Sequence, residues 1–182
     1  MGMIRKGTIG FAKNRISDTD LIDTPEKLLE FAKLHGIQTL PLDVKGVAEK
    51  LGIRVITDQM PKDEISGILE KNEENQWIIR INNKHHPNRQ RYTIAHELGH
   101  YCLHKHQETF FEDHTFFRGR DRTQTETQAN RFAGKLLIPD RIFQQFLSEN
   151  ITDVETLADK FGVSTLALRI RAKELGYSES EI

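Results

Sequence analysis

The stretch RYTIAHELGHY, residues 91–101, places two histidines four positions apart, with a glutamate directly after the first. Residues four apart on an α-helix lie on the same face, so His96 and His100 can bind one metal ion together. Glu97 is then placed to take a proton from a water molecule held by that ion, which predicts metal-assisted hydrolysis. The helix is expected over residues 88–104, because apolar residues recur there at helical spacing without an intervening proline.

Composition restricts the class of protein. The chain has 182 residues, a formal net charge of −1, 37% hydrophobic and 29% charged residues, as in one globular domain with a substantial core. The near-neutral charge gives no general attraction to nucleic acid or to an anionic membrane. No apolar run suits a signal peptide or a membrane span, and the single cysteine, Cys102, excludes an intrachain disulfide. We therefore expect a cytoplasmic protein without a membrane partner.

Periodicity along the rest of the chain predicts an α+β fold with a short mixed or antiparallel sheet around the active-site helix. Residues 1–22 lack periodicity and are expected to be a loosely ordered arm, residues 23–150 the main domain, and residues 151–182 a helical segment packed on it. Residues 107–122 are expected to be a loop. The other elements expected are helices over 25–35, 44–51, 124–138 and 141–147, and strands over 53–57, 65–69 and 77–81.

A catalytic zinc site needs a third protein ligand besides an open position, and two candidates compete. His106 stands where a longer histidine motif places its third histidine, but that motif needs a glycine where this chain has Leu103. Glu126 lies on the next long helix, where small residues allow the two helices to approach closely, so we favour it. The alternative is that Glu126 only closes a capping box with Thr123. Asn130, one turn later, is expected to orient a ligand histidine.

Residues 152–175 have helix-turn-helix spacing, with Thr152 capping the first helix, Gly162 at the turn and Ser164 capping the second. Three basic residues of the second helix could meet phosphates: Arg169, Arg171 and Lys173. From residue 151 onward, however, four basic residues stand against six acidic ones, whereas a DNA-binding protein is expected to present a basic face. We therefore favour a structural or partner-binding helix pair over direct DNA binding.

These segments together resemble the ImmA/IrrE-type metallopeptidases. The resemblance rests on residues 91–100, on Glu126 with the ANRFA that follows at 129–133, and on LLIP at 136–139. It extends from about residue 47 to residue 169. One departure is Gln128, where many relatives carry a second acidic residue. The resemblance implies a small zincin-like fold with Zn²⁺ ligands and a general base at the positions already singled out: His96, His100 and Glu126 as ligands, and Glu97 as base.

The resemblance also implies a protein substrate, namely an XRE-type helix-turn-helix transcriptional repressor. We thus expect an endopeptidase with one Zn²⁺ per chain, while Mn²⁺ and Fe²⁺ accept the same ligands. A second hypothesis is a non-catalytic metal-binding regulator or toxin-like partner that binds a repressor or DNA. A closed site with His104 or His106 as a fourth ligand would favour that second hypothesis. Four residues are candidates for stabilising the oxyanion: Tyr92, Tyr101, His104 and His114.

Overall fold

The computed structural model describes residues 21–114, 123–178 and 182. Over these residues the chain forms seven α-helices and four β-strands, so the predicted α+β class is confirmed. The predicted arm, residues 1–22, lies outside the described part except for its last two residues. The helices are α1 (Pro25–Leu34), α2 (Val44–Lys50), α3 (Pro87–His104), α4 (Gln124–Leu137), α5 (Asp140–Ser148), α6 (Val154–Phe161) and α7 (Thr165–Glu174). The strands are β1 (Arg54–Asp58), β2 (Ile65–Lys71), β3 (Trp77–Asn82) and β4 (Phe110–His114).

The four strands form one mixed sheet in the order β1-β3-β2-β4. The central strand β3 runs parallel to β1 and antiparallel to β2, and β2 runs antiparallel to β4. The first three strands were predicted from their β-branched and apolar residues, which are buried in β2 and β3. The sheet is therefore short and mixed, as expected.

The fourth strand corrects the prediction of an irregular loop over residues 107–122. Phe110–His114 pairs with β2 in a register that places Gly67 opposite Asp113. Its sequence, FFEDH, lacks the alternation of apolar and polar residues by which a strand is recognised. Pairing with β2 and burial of Phe111 stabilise the strand instead, and neither is visible in local sequence. Residues 115–122 of the predicted loop lie outside the described part.

Helix α3 is the central element of the core and packs against α4, against α2 and against strands β2 and β3. Ala95 and Leu98 are fully buried within it. Cys102 is also buried, as predicted for a small core residue, and burial raises the pKa of its thiol to about 12. In the described segments, no helix combines the length and the apolar character that crossing a membrane requires.

The helix ends follow the predicted capping residues with one exception. Thr24, Asp43, Thr123 and Ser164 each accept a backbone N–H of the first turn of their helices. The cap of α6 is Asp153 and not the predicted Thr152, because the Asp153 carboxylate accepts the backbone N–H of residue 156 at 2.8 Å. An ionised cap at a helix N-terminus also interacts favourably with the helix dipole, which favours this start.

The C-terminal helices α6 and α7 share the core of the rest of the protein. Leu157, Phe161 and Leu168 are fully buried and belong to the same hydrophobic cluster as α3 and α4. The turn between α6 and α7 is also bonded to the start of α3, since Asn88 Nδ2 donates to the carbonyl of Val163 at 2.9 Å. The helix pair is therefore held against α3 by both apolar and polar contacts.

Arg171 corrects one expectation about that pair, because its side chain cannot meet a phosphate. It is 3% exposed and donates to the carboxylates of Asp140 and Glu174 and to the carbonyl of Ile138. The arginine joins the start of α5 to α7, since Asp140 is the first residue of α5 and Glu174 the last of α7. Of the three basic residues considered for DNA contacts, only Arg169 and Lys173 are exposed.

Candidate metal centre

Three side chains from α3 and α4 converge on one point. His96 and His100 lie on successive turns of α3, and their Nε2 atoms are 3.1 Å apart. Glu126 projects from the first turn of α4 and places Oε2 3.2 Å from Nε2 of His96 and Oε1 3.0 Å from Nε2 of His100. Ligand atoms bound to one tetrahedral zinc ion at ~2.0–2.1 Å stand roughly 3.3 Å apart. The structure thus brings the three predicted ligands together at separations that suit a single ion.

The charges of this cluster also suit a cation, because two imidazole nitrogens and two carboxylate oxygens face one another. Burial lowers the pKa of His96, but the hydrogen bond to Glu126 and the charges of Asp113, Glu97 and Glu126 outweigh it and raise that pKa to about 9. Burial raises the pKa of Glu126, yet its hydrogen bonds to His100 and His96 bring it well below the ordinary value. The cluster therefore stabilises positive charge at its centre, as a divalent-cation site must.

Glu126 lies in the first turn of α4, where its backbone fills one of its two predicted roles and its side chain the other. Its backbone N–H donates to Oγ1 of Thr123 at 3.3 Å, which is the capping interaction. Its carboxylate faces the histidines instead of returning to the Thr123 backbone. The capping box is thus only half formed, and the carboxylate is left for the metal centre.

Asn130 supports this arrangement in a different way from the one predicted. Its Nδ2 donates to the backbone carbonyl of Glu126 at 2.8 Å, and its Oδ1 accepts the hydroxyl of Tyr92 at 3.1 Å. Neither bond reaches the ring of His96 or of His100. Asn130 therefore links the first turn of α4 to Tyr92, one helical turn before His96 on α3.

Glu97 lies beside the cluster and is fully buried. Neither of its carboxylate oxygens has a hydrogen-bond partner among the described residues. Burial raises the pKa of Glu97 well above its ordinary value, against the opposing charge of His96. A buried carboxylate without a partner is energetically costly and marks a place where a bound species completes the hydrogen bonding.

Asp113 lies beside Glu97 and His96, and sequence reasoning did not single it out. Carboxylate oxygens of Asp113 and Glu97 and a ring nitrogen of His96 all lie within 4.8 Å of one another. Asp113 and Phe111 are two positions apart on β4, so both side chains point to the same face of the sheet. The available signal was this two-residue spacing within FFEDH, which becomes informative only once the segment is known to be a strand.

The other candidate histidines and tyrosines differ in their positions relative to the three metal-facing side chains. His104 lies beyond His100, with the two Nδ1 atoms 3.2 Å apart, so it is not among the atoms facing the centre. His106 is exposed on the turn after α3. Tyr101 packs edge-to-face on Trp77, at 5.6 Å between ring centroids. The side chain of His114 lies outside the described part. The hydroxyl of Tyr92 is held at Asn130, which is itself bonded to the first turn of α4.

The absence of a side chain at Gly67 provides space for the carboxylate of Glu97. A Cβ atom at residue 67 would lie 2.4 Å from Cγ2 of Thr93 and 3.0 Å from Oε1 of Glu97. Because Thr93 is buried, we expect Gly67→Ala to displace Glu97 and to lower the free energy of unfolding by about 1–3 kcal/mol. Urea unfolding measures this. The matched control is Gly134→Ala, whose nearest atom is Arg171 Cδ at 3.7 Å; equal stability of the two variants would contradict the prediction.

Gly99 sets the distance between α3 and α4. A Cβ atom there would lie 3.1 Å from both Cα and the carbonyl oxygen of Ala129. Backbone atoms cannot rotate away, so Gly99→Ala must separate the helices and move Glu126 from the histidines. We expect zinc affinity to fall about tenfold, or ~1.4 kcal/mol, in a titration against a zinc-binding dye. Gly134→Ala again serves as control, and an unchanged affinity for Gly99→Ala would show that the spacing is not critical.

The sequence is similar to several named proteins. The chain is 30% identical over 122 residues to metallopeptidase ImmA of Bacillus subtilis (strain 168), covering 65% of this chain and 69% of ImmA. It is 31% identical over 104 residues to the radiation response metalloprotease IrrE of Deinococcus radiodurans, covering 57% of this chain and 28% of IrrE. It is 32% identical over 90 residues to uncharacterized immunity region protein 2 of Bacillus phage phi105, covering 49% and 54% of the two chains.

A solved structure shows the same fold at lower identity. A Mycobacterium tuberculosis transcriptional regulator superimposes with a TM-score of 0.58 at 20% identity, covering 92% of this chain and 50% of that one. The chain thus spans about half the length of this regulator and of the phage protein. A family model described as the IrrE N-terminal-like domain, Peptidase_M78, matches residues 48–173. This match covers most of the chain and includes His96, His100 and Glu126, so the chain belongs to the ImmA/IrrE family, Peptidase_M78.

Proposed function

We propose that the chain is a zinc-dependent endopeptidase with a zincin-like fold, in which His96, His100 and Glu126 hold one Zn²⁺ and Glu97 is the general base. The observation that carries this proposal is the convergence of three metal-binding side chains beside a fully buried carboxylate that lacks a hydrogen-bond partner among the described residues. Two imidazoles and one carboxylate are a donor set that leaves a fourth tetrahedral position for substrate or water.

The chemistry follows from the placement of Glu97. A bound zinc ion supplies Lewis-acid chemistry, which acidifies water and polarises a peptide carbonyl. Glu97 accepts a proton from the water that attacks the carbonyl carbon, and then donates that proton to the amide nitrogen as the C–N bond breaks. The products are a carboxylate and an amine. Tyr92 is the candidate to donate to the carbonyl oxygen as negative charge develops there, for which its single hydroxyl proton must turn from Oδ1 of Asn130 to the substrate.

The three proposed ligands suit a class of divalent metal ions and not one ion alone. Two nitrogen donors and one oxygen donor suit Zn²⁺, and they also accept Mn²⁺ and Fe²⁺. We propose Zn²⁺, one per chain, because two histidines and one glutamate are a ligand set of known catalytic zinc sites.

The proposed substrate is a protein, specifically an XRE-type helix-turn-helix repressor, cleaved in the cytoplasm. Support comes from the names of the relatives, which describe a metallopeptidase, a radiation response metalloprotease and a protein of a phage immunity region. Residues 23–150 are proposed to form the catalytic domain, and residues 151–182 a helix-turn-helix-like segment that packs on it. Burial of Arg171 supports a structural or partner-binding role for this segment over direct DNA binding.

Incubation of the zinc-loaded chain with the helix-turn-helix repressor encoded beside its gene tests this proposal. We expect two repressor fragments, defined by mass spectrometry, and complete protection of the repressor when a zinc chelator is present. Restoration of cleavage by added Zn²⁺ would assign the activity to the metal. An intact repressor bound stoichiometrically by the zinc-loaded chain would contradict the peptidase and favour a binding protein.

A further inference from the structure

A chain of hydrogen bonds extends from His100 on the side of its ring that faces away from Glu126. Nδ1 of His100 lies 3.2 Å from Nδ1 of His104, and Nε2 of His104 lies 2.9 Å from Oε1 of Gln128. We propose that His104 and Gln128 are positioning residues that hold the proton of His100 on Nδ1 in the zinc-bound form, in which Nε2 binds Zn²⁺. This inference rests on the proposed metal centre and adds two residues that lie outside it.

The direction of each hydrogen bond follows from the chemistry of the imidazole ring. A neutral histidine has one N–H donor and one acceptor nitrogen, and a metal binds the acceptor. If Nε2 of His100 binds zinc, its proton is on Nδ1 and is donated to Nδ1 of His104. His104 then carries its own proton on Nε2 and donates it to Gln128, whose Oε1 is a carbonyl oxygen and can only accept. Every link has one donor and one acceptor.

The opposite direction would make His100 unfit as a ligand. If His104 donated from Nδ1, His100 would carry its proton on Nε2, the atom that faces His96 and Glu126. Nε2 of His104 would then need a donor, which the carbonyl oxygen of Gln128 cannot be. The orientation of the Gln128 amide therefore agrees with the form of His100 that binds metal.

Of the two ligand histidines, His100 has a hydrogen-bond partner on its Nδ1 and His96 does not. Nδ1 of His96 lacks a hydrogen-bond partner among the described residues. The ring of His100 is restrained a second time, since Phe111 stacks on it at 4.6 Å between centroids with 24° between the planes. His100 is therefore the ligand whose ring orientation is set from two sides, by His104 and by Phe111.

Burial makes the bond between the two histidines effective. His100 and His104 are 1% and 2% exposed, so water does not compete for their facing nitrogens. Gln128 lies at the wall of a cavity of about 440 Å³ between α1, α3 and α4, which His104 also lines. The outer end of the hydrogen-bond chain thus reaches solvent, and we expect Gln128 to contribute less than His104.

Two substitutions of His104 separate positioning from packing. In His104→Asn, the amide Oδ1 can take the place of Nδ1 and still accept the proton of His100. His104→Leu fills similar space but offers no acceptor, and a leucine suits a buried site better than asparagine does. The dissociation constant for Zn²⁺ is measured by dye competition for the wild type and for both variants. Two substitutions of Gln128, Gln128→Leu and Gln128→Glu, are measured in the same way.

The positioning role predicts a definite order of affinities. His104→Leu should weaken zinc binding by ~10–100-fold, which is the usual effect of losing a residue that orients a ligand histidine, while His104→Asn stays close to the wild type. Gln128→Leu should weaken binding less than His104→Leu, and Gln128→Glu should bind at least as tightly as the wild type. If His104→Leu binds zinc as tightly as the wild type, or more tightly than His104→Asn, the inference is wrong.

The Nδ1 proton of His100 provides a readout that does not depend on activity. In the zinc-loaded wild type, ¹H NMR should show this proton shifted downfield by its hydrogen bond to His104, and in zinc-loaded His104→Leu it should shift upfield. A wild-type proton at the shift of an imidazole N–H without a hydrogen bond would overturn the inference even if the variants fail to fold. Zinc bound with the predicted order of affinities, but without cleavage of the repressor, would support the positioning role and contradict the proposed peptidase.

Discussion

Glu97→Gln is expected to reduce repressor cleavage by about 100- to 10,000-fold while the protein still binds one Zn²⁺. Glutamine has the shape of glutamate but cannot accept the proton of the attacking water. Zinc should stay bound, because the three metal-facing side chains are His96, His100 and Glu126, and the Glu97 carboxylate is not among the atoms 3.0–3.2 Å apart at the centre. Cleavage rates and zinc per chain, measured by elemental mass spectrometry on the same preparations, check both halves of the prediction.

A surface variant provides the control for Glu97→Gln. Glu108 is exposed on the turn after α3, so Glu108→Gln makes the same change of charge without touching the site. It should cleave and bind zinc like the wild type. Cleavage by Glu97→Gln at the wild-type rate would remove Glu97 as the base. Loss of zinc from Glu97→Gln would instead make it a ligand, and the assignment of Glu126 would then have to be reconsidered.

Removal of a metal ligand is expected to have the second large effect. His100→Ala deletes the nitrogen that stands 3.1 Å from His96 and 3.0 Å from Glu126, and Glu126→Gln removes the negative charge that balances the cation. Two remaining donors cannot hold zinc against competition from water and buffer, so both variants should lose metal during dialysis and lose cleavage with it. Zinc per chain and cleavage are measured together, before and after dialysis.

The matched control for His100→Ala is His106→Ala, which alters the competing sequence candidate for the third ligand. Because His106 is exposed, its variant should keep one zinc ion per chain and full cleavage. Glu155→Gln, in the exposed first turn of α6, is the corresponding control for Glu126→Gln. Normal zinc content in Glu126→Gln together with zinc loss in His106→Ala would reverse the choice of third ligand.

Sequence was sufficient wherever the deciding interactions are local. The helical face shared by His96 and His100 depends only on a spacing of four residues, and the caps of the helices depend on residues within one turn. Glu126 was chosen because Gly99 and the alanines of α4 allow close approach, and the structure shows Gly99 directly against Ala129. Small residues at matching positions on two helices are thus a usable signal of long-range packing.

Sequence was insufficient where a distant partner decides. β4 forms because β2 is there to pair with it, and Asp113 reaches the site only as part of that strand. Arg171 looked available for phosphates, since its partner Asp140 is 31 positions away. The role of His104 was nearly visible, because it continues the four-residue spacing of His96 and His100. What sequence does not show is that Gln128 lies across from it and accepts its proton.

A crystal structure of the zinc-loaded protein, with anomalous data collected at the zinc absorption edge, tests the central claim most directly. The account predicts one strong peak per chain within about 2.0–2.2 Å of His96 Nε2, His100 Nε2 and a carboxylate oxygen of Glu126, with the fourth position open to solvent. A zinc ion held elsewhere, or closed in by a fourth protein ligand such as His104 or His106, would contradict a catalytic metal centre.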